Sequence, residues 1–321
     1  MNFLGFYKNK KIVIPGGNGF VGSHIAEILK KIPCEIFIPK TLEGIDFRKY
    51  EDCFSYLDSK KPHIVINCAA IQGGIAYHNG RQADLFLDNM LMGTFLMKAS
   101  QKVGVGKFVN VVAGCSYPGY LEISEMNEED YWRGKLHDSI FSYGFARKAS
   151  TVYGLALKKQ YGFNSIHLVM ANMYGPGEHF SPDQSKALAA LIRKIYEAKA
   201  KKLPSVEIWG TGKPIRDWLY VKDGAEGILR AGAVYNDIEP MNIATGVGIC
   251  VKELAETIRR IIGYKGNLKY NTSKPDGALH KTFGIHKMKK ELGWIPETSI
   301  ETGIREASEW FSKNYKKAIA Y

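Results

Sequence analysis

The sequence predicts an α/β fold, a doubly wound parallel sheet followed by a smaller α+β lobe. Three observations carry that reading. A short apolar run, Lys11-Ile12-Val13-Ile14-Pro15, leads into a glycine-rich turn and then a helical stretch, Ser23 to Lys31. Strand-like and helix-like segments then alternate as far as residue 171, the rhythm of βαβ units. The chain has 321 residues, 45% of them hydrophobic and 24% charged, enough to bury a full core.

In chain order, further strands are predicted at Glu35–Pro39, His63–Asn67, Lys107–Val112 and Ser165–Met170, where β-branched and aliphatic residues run together. Helical spacing fills the gaps at about 49–60, 79–103 and 138–161. Beyond residue 171 the elements shorten and mix. Strands are predicted at Val206–Trp209, Trp218–Val221, Met241–Ile243 and Leu268–Tyr270, with helices at about 185–200, 222–234, 251–263 and 301–314. The expected division is residues 1–171 as a dinucleotide-binding domain and 172–321 as a substrate lobe, with some chain crossing back.

The turn after the first strand reads Gly16-x-x-Gly19-Phe20-Val21-Gly22. In the order strand, turn, helix, such glycines serve a tight bend, close approach to a pyrophosphate and close helix packing, while the main chain at Phe20 and Val21 offers free N–H groups to phosphate. This is the signature of a Rossmann-type sheet. The second strand ends in Pro39-Lys40-Thr41 without the acid that would hold a ribose hydroxyl pair. Lys40 suits a 2′-phosphate instead, so NADP(H) is favoured, with NAD(H) the alternative.

The net charge is +12. The excess is dispersed over Lys8 to Lys11, Lys199 to Lys202 and Lys287 to Lys290, without an aromatic-interleaved basic tract, so no nucleic acid is expected. A polyanionic small molecule such as a nucleotide diphosphate accounts for part of the balance. No apolar run approaches the roughly 18 residues that cross a bilayer, so no membrane partner is expected, and the N-terminus lacks a secretory pattern. Five scattered cysteines without a CxxC pair point to reduced thiols in the cytoplasm and to no metal site.

At the carboxyl end of the fourth strand lies Val111-Val112-Ala113-Gly114-Cys115-Ser116-Tyr117-Pro118, and Ser142-Tyr143-Gly144-Phe145-Ala146-Arg147-Lys148 opens a helix. With the glycine turn these resemble the extended short-chain dehydrogenase/reductase family, which works on nucleotide sugars. Ala69 to Ile75, Gly114 to Pro118, Asn172-Met173-Tyr174-Gly175-Pro176, Trp209 to Arg216 and Lys274-Pro275-Asp276-Gly277 are similar, more narrowly, to the GDP-L-fucose synthases, GDP-sugar 3,5-epimerase/4-reductases.

The resemblance implies a set of roles. Tyr143 is the acid/base at the sugar C4 oxygen, Cys115 the base beside the ketone, and Ala69 and Ala70 border the cofactor with Tyr143 and Arg147. Asn172, Arg193, Trp209, Arg216 and Asp276 belong to the GDP-sugar side. It also implies a homodimer built on the helices at 79–103 and 138–161. Three positions depart from the family pattern. Ala113 replaces a serine that bonds the C4 oxygen, with Ser116 the nearby hydroxyl. Arg147 replaces a lysine, keeping the charge but holding its proton firmly. Ser181 stands where the resemblance leads one to expect an acidic histidine, with His179 two residues earlier. The expectation is an oxidoreductase acting at C4 of a GDP-sugar as a 4-keto reductase. The alternatives are a GDP-sugar 4-dehydrogenase and a catalytically impaired GDP-sugar-binding protein.

Overall fold

The computed structural model describes residues 3–40, 44–121, 123–274 and 276–320, without the side chains of residues 75 and 76. Thr41 and Pro275, singled out above, lie outside the described residues. The first half runs β1 (Lys11–Val13), α1 (Phe20–Leu29), β2 (Glu35–Phe37), α2 (Tyr50–Lys60), β3 (Ile64–Asn67), α3 (Ile75–Asn79), α4 (Gln82–Val103), β4 (Lys107–Ala113), α5 (Phe141–Tyr161) and β5 (Ser165–Met170). The second half runs β6 (Asn172–Tyr174), α6 (Ala187–Ala200), β7 (Ser205–Trp209), β8 (Ile215–Tyr220), α7 (Val221–Val234), β9 (Met241–Ile243), β10 (Gly248–Cys250), α8 (Val251–Ile262), β11 (Asn267–Asn271), β12 (His280–Lys281), α9 (His286–Leu292), α10 (Ile300–Lys313) and α11 (Tyr315–Ala318).

Six strands form one parallel sheet in the order β2-β1-β3-β4-β5-β9. Residues alternate between its two faces. Ile12, Ile64, Ile66, Val109 and Val111 pack with Ile25 and Leu29 of α1 and Ile228 and Leu229 of α7. Val13, Val65 and Phe108 face the opposite way, onto Leu57 of α2, Leu96 and Met97 of α4 and Leu157 of α5. Both faces are therefore covered, which is why the strands read as mainly apolar runs. The order reverses at β1: the chain leaves β1 for β2 on one side, then returns to β3 on the other. The carboxyl ends of β1 and β3 thus border the crevice where such sheets take ligands.

β9 pairs with β5 in the first sheet, with Leu168 opposite Met241. The second lobe holds β6, β8, β10 and β12 in one small sheet and β7 with β11 in another. Its core gathers Phe180, Ile192, Ile195, Trp218, Leu254, Ile258, Ile304 and Phe311.

Several elements differ from expectation. β1 and β2 stop before Pro15 and Pro39, and α1 begins three residues early, at Phe20. The helix expected over 79–103 divides at Gly80-Arg81 into α3 and α4, and residues 138–140 form a 3-10 turn ahead of α5. β6, β10, β12, α9 and α11 are too short for a periodic signal.

Asp217 on β8 is fully buried and joins the lobes. One carboxylate oxygen accepts from the Thr245 N–H (3.0 Å) and hydroxyl (2.7 Å), the other from the Gly246 N–H (2.9 Å), just past β9. Burial raises its pKa and these donors oppose the rise. Asp217→Ala leaves several buried donors unpaired and is expected to cost about 2–3 kcal/mol, read as a lower urea midpoint.

Candidate functional site

The glycine turn packs directly onto the end of β3. Gly16 has φ +76°, and a Cβ there would lie 2.7 Å from the main chain of Cys68; a Cβ on Gly22 would meet the Gly16 carbonyl at 2.3 Å. Gly19 begins α1 with no side-chain cap, and the first turn of α1 carries no acid. The free N–H groups and the positive end of the helix dipole therefore face the crevice unopposed, an arrangement that fits a pyrophosphate. Ile38 abuts Gly17, which sets the chain leading to the exposed Lys40 beside the turn.

Arg147 and Tyr143 lie one turn apart on α5. Arg147 is 2% exposed. Its guanidinium donates to the carbonyl of Ala69 at 3.1 Å and to that of Val111, at the ends of β3 and β4. Its Nε is buried without a partner. Tyr143, also buried, donates from its hydroxyl to Gln72 Oε1 at 3.4 Å, and the His78 ring meets its ring edge-on at 5.3 Å. Burial drives the Tyr143 pKa up while Arg147 pulls it down. The hydroxyl stays protonated at neutral pH, as a proton donor requires.

Cys115 sits in the 3-10 turn after β4, half-buried. Burial raises its thiol pKa, and the positive charges of Lys281, Lys186 and Arg147 lower it. Ser116 is turned away: its hydroxyl is fully buried and donates to the Gly144 carbonyl at 3.0 Å. Ser181 is buried with its hydroxyl unpartnered, and His179 is on the exposed side of its loop. In the same segment, the charge of Lys186 lowers the Cys115 pKa.

On the second lobe, Arg216 donates to the Ile215 carbonyl at 2.8 Å, and burial pushes its pKa down to about 10. Asp276 is a brace, accepting from the Thr211 N–H at 2.7 Å and hydroxyl at 2.8 Å, and its charge reaches Arg216. Trp209 is 48% exposed, with the Lys194 and Lys274 ammonium groups 5.2 and 5.4 Å from its ring centre. Asn172 opens β6, and Arg193 on α6 is buried, paired with Glu197 at 3.6 Å.

Sequence reading missed four residues here. Gln72 lies inside the Ala69 to Ile75 block without a role of its own there, and His78 lies outside every block. Lys281 lies on two-residue β12, buried, donating to the Gly114 carbonyl at 3.4 Å; burial and Arg216 lower its pKa to about 8 against the pull of Cys115. Glu178 is 6% exposed with one carboxylate oxygen unpartnered, and burial raises its pKa to about 7. Only the fold reveals that His78, Glu178 and Lys281 are enclosed and that the partly buried Gln72 meets Tyr143.

The folded chain holds the Glu178 proton between the ordinary glutamate range and about pH 7, where the unfolded chain has released it. Stability therefore falls as pH rises through that window and levels off above it. Glu178→Gln is expected to melt above the parent at pH 8, with the gap narrowing at pH 5, in paired thermal melts.

Residues 12–244 match the family model described as the NAD dependent epimerase/dehydratase family. A GDP-L-fucose synthase of Sinorhizobium fredii is 35% identical over 305 residues, covering 95% of this chain and 96% of the relative. Among solved structures, a GDP-6-OMe-4-keto-L-xylo-heptose reductase from C. jejuni superposes with a TM-score of 0.89 at 27% identity, over 95% of this chain and 98% of that one. A GDP-L-fucose synthetase from Naegleria fowleri bound to NADP gives 0.87 at 26% identity, over 96% and 94%. With its glycine turn at the β1/β3 crossing and Tyr143 one turn from Arg147 at the same sheet edge, the chain belongs to the NAD dependent epimerase/dehydratase family.

Proposed function

We propose that this protein is an NADP(H)-dependent 4-keto reductase of a GDP-sugar. The observation that carries the reading is the buried Tyr143 hydroxyl, protonated and one helical turn from Arg147, at the carboxyl edge above the glycine turn. The relatives that act on GDP-sugars, and the NADP-bound one among them, supply the substrate class and the cofactor.

Bound nicotinamide supplies hydride to C4, and the remaining work falls to the chain. The main chain at Gly16, Gly19, Phe20, Val21 and Gly22 holds the pyrophosphate, and Lys40 meets the 2′-phosphate. Ala69 and Ala70 flank the cofactor on the β3 side. Tyr143 gives its proton to the C4 oxygen, and Arg147 offsets the negative charge left on the phenolate. Asn172, Arg193, Trp209, Arg216 and Asp276 form the GDP-sugar side, with residues 1–171 as the cofactor domain and 172–321 as the substrate lobe. Arg216 offers a cation to the diphosphate, and Trp209 a flat face to the base. Cys115 lies among the cations where a proton beside the ketone would be taken, but Ser181 carries no acid, so the reading covers reduction without epimerisation. The five thiols are unpaired, which suits the cytoplasm.

The protein acts as a homodimer in this reading. Phe141, Phe145 and Val152 recur along one side of α5 with more than a third of each exposed, and Leu87 on α4 is half exposed. Phe145 stacks on Phe141 at 5.8 Å and meets Phe86 of α4 at 6.3 Å. Such a contiguous apolar face on two packed helices suits burial against a second copy.

Absorbance at 340 nm is expected to fall, in proportion to protein, on mixing with NADPH and GDP-4-keto-6-deoxymannose; a flat trace overturns the reading. Tyr143→Phe is expected to lower kcat by about 100-fold or more, the scale of a lost general acid, with NADPH affinity retained. The Leu87→Glu/Phe145→Glu pair is expected to sediment as a monomer where the parent sediments as a dimer.

A further inference from the structure

We propose that Gln72 is a catalytic residue, whose side-chain amide and the Tyr143 hydroxyl together receive the C4 oxygen of the substrate. The inference rests on the C4-reductase reading above and names the second hydrogen-bond donor of that site.

A ketone oxygen has two in-plane lone pairs, and negative charge builds on it as C4 accepts hydride from NADPH. Tyr143 addresses one lone pair and transfers its proton there. Ala113, at the end of β4 where the family resemblance leads one to expect a serine, has only a methyl group to offer. Ser116 cannot fill the place, because its hydroxyl is enclosed and committed to the Gly144 carbonyl at 3.0 Å. Lys281 points at the Gly114 carbonyl on the Cys115 side of the pocket. Among the described residues, the side chain that meets the Tyr143 hydroxyl is Gln72, at 3.4 Å. In the free protein its amide oxygen accepts from Tyr143, whose single proton turns to the C4 oxygen when substrate binds, and its amide nitrogen carries two hydrogens to donate.

The segment carrying Gln72 is held on both sides. Asn89 of α4, fully buried, accepts from the Ile71 N–H at 3.0 Å and donates to the Ile71 carbonyl at 2.9 Å. His78 Nε2 bonds the Gly73 carbonyl at 3.1 Å, and the same ring packs edge-on against Tyr143. Ile71 and Gly73 are thereby pinned, and the residue between them is aimed at the reacting end of Tyr143. A donor fixed before the reaction stabilises developing charge without reorganising during it. In the step itself, C4 gains the hydride, O4 gains the Tyr143 proton, NADPH becomes NADP+, and the phenolate is reprotonated from solvent. Gln72 donates a hydrogen bond throughout and changes no proton.

The experiment pairs a deletion with a transplanted donor. Gln72→Ala is expected to lower kcat about 100- to 1000-fold, the usual loss of one oxyanion donor. KM, NADPH affinity by fluorescence titration and the melting temperature are expected to stay near those of the parent. Ala113→Ser added to Gln72→Ala is expected to recover at least about tenfold of that loss, since a hydroxyl then reaches the same oxygen. A kcat within threefold of the parent, a loss confined to KM or NADPH affinity, or no recovery in the double variant overturns the proposal. A crystal structure of the protein with NADP+ and GDP-mannose gives a readout independent of turnover. The Gln72 amide nitrogen is expected within about 3.2 Å of the sugar O4, and a separation beyond hydrogen-bond reach overturns the proposal. If the parent is inert toward GDP-4-keto-6-deoxymannose, the reductase reading falls, and the crystal distance still decides the place of Gln72.

Discussion

The site is organised by one buried cation. The Arg147 guanidinium reaches from α5 to the Ala69 carbonyl at the end of β3 and the Val111 carbonyl near the end of β4. Carbonyls at the carboxyl edge of a parallel sheet have run out of strand partners, and a planar fork answers two of them at once. Tyr143 is placed by the same helix one turn earlier. Gly16 closes against the Cys68–Ala69 peptide, whose next carbonyl Arg147 holds, so the glycine turn, Tyr143 and the two strand ends share a single tie. A lysine there would have one short ammonium to divide among these acceptors; arginine spans them, and its unpartnered Nε is what remains of its capacity.

Around this tie the pocket is unusually positive for an enclosed space. Lys281 and Arg216 both have lowered pKa values because burial penalises their charge, and Lys186 and Arg147 add to the potential felt at Cys115. Burial and cations act oppositely on Tyr143 and Cys115, stabilising the protonated and the ionised form in turn. A ligand with two phosphate groups would relieve the cations, which gives the overall excess of +12 a local meaning that a whole-chain count does not convey. Two of these four cations, Lys281 on β12 and Arg216 on β8, come from adjacent paired strands of the second lobe.

The legible parts of the chain were those with either long periodic segments or a glycine pattern in context. β3, β4 and β5 were read within a residue or two of their ends, because both faces of the sheet are covered and most positions are apolar. The division between α3 and α4 was not, since Gly80 and Arg81 interrupt a pattern that continues in composition. Tyr143, Cys115 and Arg216 stood in recognisable blocks. His78, Glu178 and Lys281 did not, because a lone polar residue in a loop or on a two-residue strand looks like any solvated side chain until its enclosure is known; Gln72 stood inside the Ala69 to Ile75 block, but nothing in that block says which side chain meets Tyr143. Ser116, expected as a donor beside Cys115, is one residue along a tight turn and so faces the opposite way, into Gly144.

What the sequence by itself determined is the sheet, its glycine turn and the helical spacing that sets Tyr143 and Arg147 on one face, because these follow from periodicity and from steric limits local to a few residues. What only the tertiary structure decided is which polar groups are enclosed together. The fold alone sets Gln72 against Tyr143, brings Lys281 to Cys115 across more than 160 residues, and leaves a Glu178 oxygen without a partner. Burial and charge are properties of a three-dimensional neighbourhood, and no local pattern of residues encodes a neighbourhood assembled from the ends of separate strands.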